Sequence, residues 1–279
     1  MIEHTFSVLH VGIRITADCQ EMEHGLEEIA VRTQPEQPVR SHLDLQVLKT
    51  GGAFIIQEDH EAVMTCPDPE WTTVFLHQWI NRRVCEGIEG LQIHGGCGTF
   101  RGKRFILCGE KGAGKTTLLC HLMFDGVEVH SDETVLLDRE GAQPFPGKFH
   151  LKEGTVPLVS GLKPLCRRRR SYPALAPAGE SFYFFDPAQA GFEWGISKKK
   201  VDAFFYLEPE RAGESQIAPC PKFLMVRKLL GQTLNLAEDP RSQIRTLCEA
   251  VDAGVCHDLR VNALGGGARM IKEALRRLL

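Results

Sequence analysis

The stretch Gly109-Glu110-Lys111-Gly112-Ala113-Gly114-Lys115-Thr116 constrains this chain more than any other. It is a complete G-x-x-x-x-G-K-[ST] loop with the flanks such a loop requires. Arg104 to Cys108 (RFILC) is a short apolar run that reads as a buried strand. Lys115 to Phe124 (KTTLLCHLMF) reads as a helix, stopped by Asp125-Gly126. Strand, glycine-rich turn and helix N-terminus aim several backbone N–H groups at one place, and the helix dipole adds to their pull on an anion. The expected cofactor-binding set runs from Gly109 to Thr117. Lys115 would reach the β- and γ-phosphates of ATP, and the Thr116 hydroxyl would coordinate Mg²⁺. The alternative is a chance match in a chain with 27 glycines, against which the flanking strand and helix argue.

Such a loop holds a nucleotide without saying what is done with it. Phosphoryl transfer needs a second acidic element for Mg²⁺ and for the attacking hydroxyl. Asp132 arrives seventeen residues after Lys115, at the end of the strand Val127 to His130, and Glu133 follows it. A short β-α-β passage is expected to set the two strand ends side by side, opening both acids onto the crevice of Lys115 and Thr116. One acid would face the metal, with Asp132 and Thr116 as its ligands; the other would act as base. A solvated turn is the plainer reading of the same residues. Upstream, Leu91 to His94 reads as a strand, followed by Gly95-Gly96 and a hairpin through Thr99-Phe100-Arg101-Gly102. His94 in an apolar strand is by itself more often a satisfied core residue than a site residue.

Three items in this order, Ile93-His94-Gly95, the loop Gly109 to Thr116, and Ser131-Asp132-Glu133 preceded by Gly126, resemble the HPr kinase/phosphorylase C-terminal domain and its relatives. That family is similar to the phosphoenolpyruvate carboxykinase core. The resemblance implies a kinase-type α/β core, a site role for His94 near the transferred phosphate, and catalysis and metal binding by the acidic pair. It also implies an oligomeric habit, so a homo-oligomer is among the expected partners. The family pattern has two aspartates where this chain has Asp132 and Glu133, which keeps a carboxylate on a longer arm. The family's downstream Arg-Gly-Leu-Gly loop has no match. In its place stands Phe145-Pro146-Gly147-Lys148-Phe149-His150-Leu151-Lys152-Glu153-Gly154, which looks like divergent HPr-kinase-related proteins, some of which phosphorylate serine on a peptide. HPr itself is therefore not the expected substrate.

The rest of the chain frames this segment. Its 279 residues, 43% hydrophobic and 25% charged, are those of a globular protein of one large or two ordinary domains. A net charge of −3 offers no global attraction to nucleic acid or anionic membrane, and neither is an expected partner. Ten cysteines form no C-x-x-C pair and read as small buried apolar residues of a reducing compartment. No signal segment opens the chain and no apolar run approaches the ~20 residues of a membrane span, so a cytoplasmic location is expected.

Residues 1–88 read as a β-rich α+β region with a linking helix, and 89–279 as the kinase-like domain. Val11 to Thr16, Leu43 to Val47 and Ala53 to Gln57 are the strand candidates, with a loop at Gln34 to Pro38. The histidines of this region have no ligand spacing. Asp68-Pro69-Glu70 starts a helix whose core face is expected to carry Trp71, Phe75 and Trp79 with Leu76, Ile80 and Val84, and Gly87 and Gly90 end it. Residues 157–200, with five prolines, Arg167 to Arg170 and Lys198 to Lys200, read as irregular structure at the mouth of the site, either receiving an acidic group or simply solvated. Beyond it, Val201 to Leu207 is a buried strand, Lys222 to Asn235 and Arg241 to Ala253 are helices, and His257 to Val261 is a strand. Gly265-Gly266-Gly267 reads as a flexible turn before a last helix, Ala268 to Leu279.

The expected activity is ATP- and Mg²⁺-dependent transfer to a hydroxyl, most plausibly serine of a peptide or small protein, with Lys115, Asp132, Glu133 and His94 as the catalytic set. A nucleotide-binding regulatory protein without transfer activity, and a kinase of a small metabolite or sugar, are the competing readings.

Overall fold

The computed structural model describes residues 1–30, 38–88, 90–169, 182–188, 190–192, 195–209, 213–237 and 240–279. Most of the expected loop at 34–38 lies outside this set. So do Arg170, Pro173, Pro177 and the side chains of Arg167, Arg168 and Arg169. The chain is mixed α/β and divides into two compact units, one formed mainly by Met1–Ile88 and the other by most of the chain beyond Ile88.

In the first unit, strands β1 (Ile2–Val8) and β2 (Val11–Ala17), helix α1 (Glu23–Ile29), strands β3 (Ser41–Thr50), β4 (Ala53–Glu58) and β5 (Glu61–Cys66), and helix α2 (Pro69–Glu86) succeed one another. The strands form one sheet in sequence order, β2 and β3 parallel and the other pairs antiparallel. Period-2 burial of Ile13 and Ile15 on β2 and of Leu43, Leu45 and Val47 on β3 turns one face inward. Strands β1 and β5 and helix α1 are not among the expected elements. Helix α1 passes α2 at Gly25, where a Cβ would lie 2.1 Å from Thr73 Oγ1.

Helix α2 starts as expected: Asp68 Oδ1 accepts the Trp71 N–H over 2.8 Å, with Pro69 in the first turn. Its buried face differs from expectation. Thr72, Thr73, Leu76, His77, Ile80 and Val84 are buried, whereas Trp71, Phe75 and Trp79 are half-buried at the margin. There the Trp79 indole N–H reaches Glu58 Oε2 over 2.7 Å.

The second unit contains β6 (Leu91–His94), β7 (Gly96–Phe100), β8 (Lys103–Gly109), α3 (Lys115–Phe124), β9 (Glu128–Ser131), β10 (Thr134–Asp138), β11 (Gly141–Pro144) and β12 (Phe149–Lys152). After these come β13 (Cys166–Arg169), β14 (Phe182–Phe185), β15 (Ala203–Pro209), β16 (Gln216–Pro219), α4 (Lys222–Leu230), α5 (Arg241–Ala253), β17 (Val255–Val261) and α6 (Leu264–Arg276). The main sheet has the order β16-β17-β15-β8-β7-β9, and two three-stranded sheets run β11-β10-β6 and β12-β14-β13. Strands β8 and β17 flank β15 and pair with it in parallel. Parallel strands are covered on both faces, and here alternate residues serve opposite cores. Phe105, Leu107, Phe205 and Leu207 meet α3 and α6, while Ile106, Cys108, Phe204 and Tyr206 meet α4 and α5.

Four details depart from expectation. Strand β7 lies between β8 and β9, so the two strand ends flanking α3 are not adjacent. Its small residues admit neighbours from both sides: a Cβ on Gly96 would lie 2.1 Å from Leu119, and one on Gly98 2.6 Å from the Phe105 ring. Helix α4 stops at Leu230 rather than at residue 235, because the next residues pair with β6 instead. Helix α6 takes Gly265, Gly266 and Gly267 into its first turn, so they are no flexible turn; Gly267 leaves the space in which a Cβ would stand 2.7 Å from Val261. Lys198 is engaged with Asp138 and, at 3.1 Å, with Glu140, which spends its charge within the fold. No helix among the described residues is long and apolar enough to cross a membrane.

A buried polar network ties the segment around residue 197 to the main sheet. Arg104 is 1% exposed; its Nε donates to Thr99 Oγ1 over 3.1 Å and its Nη1 to Ser197 O over 3.0 Å. The Gly195 N–H donates to His130 Nδ1 over 3.2 Å, so the neutral ring keeps its proton on Nε2, 2.9 Å from Thr99 Oγ1. Burial, with Arg104 nearby, pushes the His130 pKa down to about 3 and keeps the ring neutral. Replacing Arg104 by Leu strands these acceptors in the core. The expected loss is about 3 kcal/mol of unfolding free energy, read from urea denaturation midpoints, and an unchanged midpoint would discard the network as a stabilising element.

Candidate functional site

Strand β8 delivers the chain to Gly109, which pairs with Leu207 of β15. The glycine has φ +156°, and a Cβ there would stand 2.5 Å from the Leu207 carbonyl oxygen. Gly112 and Gly114 also take positive φ, 87° and 97°, with open space beside them, so backbone conformation and not crowding selects glycine at these two. Gly114 caps α3 with no side-chain partner. The first-turn N–H groups of a helix lack intrahelical acceptors, and this end is therefore suited to an anion.

Lys115 is the first residue of α3 and is buried. Its Nζ donates to Gly109 O over 2.6 Å and to Glu110 O over 3.3 Å. Burial lowers its pKa, opposed by the charges of Glu110 and Asp132 among others. The ammonium thus rests on the carbonyls of its own loop. Thr117 Oγ1 lies 2.9 Å from Thr155 Oγ1, which brings the segment after β12 against the first turn of α3.

Asp132 follows the end of β9 and is buried, 7% exposed. Burial drives its pKa well above the ordinary carboxylate range, and the neighbouring Glu133 adds to this. The nearby Thr116 hydroxyl and the charge of Lys115 act in the opposite direction. Thr116, Lys115 and Asp132 are thus brought together even though β7 separates their strands. Residues Thr116 and Asp132 could hold a divalent cation: a buried carboxylate and hydroxyl with incomplete charge compensation fit one. Among the described residues no group of three His, Cys, Asp or Glu side chains stands ready for a metal, so further ligands would come from phosphate oxygens.

Glu133 differs from its neighbour. Its side chain is 55% exposed, with Oε2 3.9 Å from His150 Nδ1. His150 lies on β12 opposite Phe184, its ring edge-on at 4.8 Å between centroids, and burial pushes its pKa down while Glu133 pulls it up. The Glu133 main chain holds the end of β6: its carbonyl accepts the Gly95 N–H over 3.0 Å and lies 3.1 Å from His94 Nδ1. A carbonyl only accepts, so the His94 ring keeps its proton on Nδ1 and leaves Nε2 as an acceptor. Burial, reinforced by the Lys115 charge, lowers the His94 pKa and holds the ring neutral near pH 7. His94 and the acidic pair therefore share one corner.

Sequence reasoning missed His150, Thr155, Tyr206 and Gln232. The Tyr206 hydroxyl donates to Glu110 Oε1 over 2.8 Å, and Gln232 supplies a carbonyl to the His94 N–H over 2.7 Å. No spacing signal marks these four, since each reaches the loop or its surroundings through a tertiary contact.

The buried Asp132 has a measurable cost. A carboxylate with a raised folded pKa binds more protons folded than unfolded, so its penalty is absent below the ordinary value near 3.9 and grows as pH rises above it. Asp132→Asn is expected to raise the melting temperature of the nucleotide-free protein at pH 7, and the gain should vanish towards pH 4. Melts across that range check it; a wild type more stable than the variant at pH 7 would refute the assignment.

No family model matches this sequence, and no curated protein matches it. The solved structure of the HPr(Ser) kinase/phosphatase from Coxiella burnetii overlaps it with a TM-score of 0.35 at 11% identity, covering 67% of this chain and 89% of that one. An overlap this loose decides neither fold nor chemistry.

Proposed function

We propose that the protein is an ATP- and Mg²⁺-dependent phosphotransferase that moves the γ-phosphoryl group to a hydroxyl. The observation that carries this reading is the convergence of Lys115, Thr116 and buried Asp132 at the mouth of a glycine loop with left-handed turns. The loop amides and the Lys115 ammonium would bear the negative charge of the phosphates, once Lys115 leaves the carbonyls it now holds. Thr116 and Asp132 would hold Mg²⁺, which when bound neutralises phosphate charge. Glu133, the accessible carboxylate of the pair, would accept the proton of the incoming hydroxyl, and His94 Nε2 offers a second acceptor in the same corner. The HPr-kinase-type core, and serine of a peptide or small protein as acceptor, rest on the resemblance carried by His94, the loop and Ser131-Asp132-Glu133.

The test uses γ-labelled ATP with Mg²⁺ and two acceptor panels, serine-containing peptides and small hydroxyl metabolites. Label on a peptide selects the serine kinase, and label on a metabolite selects the small-molecule kinase. Binding of ATP with no transfer to either selects the regulatory protein. Lys115→Ala is expected to lower transfer by about 10²- to 10³-fold. Transfer at the wild-type rate by that variant would remove the loop from the chemistry.

A further inference from the structure

The loop carries a carboxylate of its own, Glu110, in its second position. An anion there is unfavourable for a site that must receive phosphates, because like charges repel, and the exposure of Glu110 moderates this repulsion without removing it. The fold deals with this carboxylate through two residues far away in sequence. The Tyr206 hydroxyl on β15 donates to Glu110 Oε1 over 2.8 Å, and Gln232 Nε2 reaches the same oxygen at 3.4 Å. Tyr206 belongs to the core that meets α4 and α5, whereas α3 packs on the opposite face of the sheet. The Glu110 side chain is thus drawn to the side of the sheet away from the helix whose N-terminus faces the loop.

Both donors are themselves held in place. Lys228 Nζ lies 4.6 Å from the centroid of the Tyr206 ring and bonds Asp258 at 2.7 Å and Glu208 at 3.1 Å. Gln232 is buried, donates its own N–H to Leu229 O over 2.9 Å and accepts the His94 N–H. The next residues continue the junction. Leu234 N–H donates to Gln92 O over 2.8 Å, and Asn235 takes the Gln92 N–H over 2.7 Å while giving its amide to Gly90 O over 2.9 Å. Gln232 therefore touches the loop with its side chain and the His94 strand with its main chain.

We infer that Tyr206 and Gln232 are positioning residues for the loop, acting through the Glu110 carboxylate, which they hold away from the place an incoming phosphate would take. This rests on the reading of the loop as a nucleotide site. Without the donors, the carboxylate is free to compete with phosphate for Lys115 and the loop amides, so the effect falls on nucleotide affinity.

The experiment compares wild type with Tyr206→Phe, Gln232→Leu, Glu110→Gln and the Tyr206→Phe/Glu110→Gln double variant. It reads the Kd for ATP by calorimetry and hydrogen exchange of the amides of residues 110–114 without nucleotide. Tyr206→Phe keeps the packed ring and is expected to weaken ATP binding by roughly three- to tenfold and to speed loop exchange. Gln232→Leu acts in the same direction and less, in keeping with its longer bond. In the Glu110→Gln background the Tyr206→Phe effect should disappear, which a general loss of packing would not do. Unchanged loop exchange in Tyr206→Phe, or a Tyr206→Phe effect equal in both backgrounds, overturns the inference. A wild type that fails to bind ATP defeats the nucleotide reading instead, and hydrogen exchange in the four variants still decides whether the clamp exists.

Discussion

The second unit is governed by a close approach of backbone to backbone. Gly109 meets the Leu207 carbonyl so tightly that no side chain fits, and both strands are buried on their two faces. A chain arriving there has one exit, a turn through left-handed conformations that Gly112 and Gly114 supply without strain. The loop side of the site descends from this exit. It points the first turn of α3 at an open space, places Lys115 over the carbonyls of its own loop, and leaves Thr116 beside Asp132.

Buried charge is handled in two ways within this unit. Arg104 is surrounded by acceptors and its charge is matched by oriented dipoles, so it fastens the sheet to the segment around Ser197. Asp132 is buried with partial compensation, and its carboxylate is held far from its preferred ionisation. The first is what a structural charge needs in a medium of low polarity. The second is unfavourable in isolation and becomes favourable when a cation arrives, a signature expected of functional positions rather than of packing.

Much of this is legible from the sequence because it depends on local rules. Asp68-Pro69 announces α2 through a cap that the folded chain makes, and RFILC-then-glycines announces the strand and turn before α3. Features set by long-range partners are not legible in this way. The end of α4 is marked by Gly231, a stop signal inside the expected helix Lys222 to Asn235, and the residues after it leave the helix, with Thr233 pairing with Ile93. The three glycines of α6 look like a flexible turn by composition, yet they are helical, and Ser215 and Val261 stand close enough to Gly266 and Gly267 to disfavour side chains there. Hydrophobicity alone assigns the aromatic residues of α2 to the core, but they lie half-buried at its margin, where the Trp79 indole N–H meets Glu58, a partner 21 residues away that no local pattern announces.

By itself the sequence determined the strand, loop and helix around Lys115, since they are written in contiguous residue types with fixed local geometry; the acids at 132 and 133 stood out by their spacing from the loop, and the histidine at 94 only through a family resemblance. Tertiary structure alone decided that β7 intervenes between β8 and β9, that Asp132 is buried while Glu133 stays open, and that Tyr206 and Gln232 restrain Glu110. The reason is physical: dihedral preferences and caps act over a few residues, whereas burial and the direction of a hydrogen bond depend on which distant segment fills the neighbouring space.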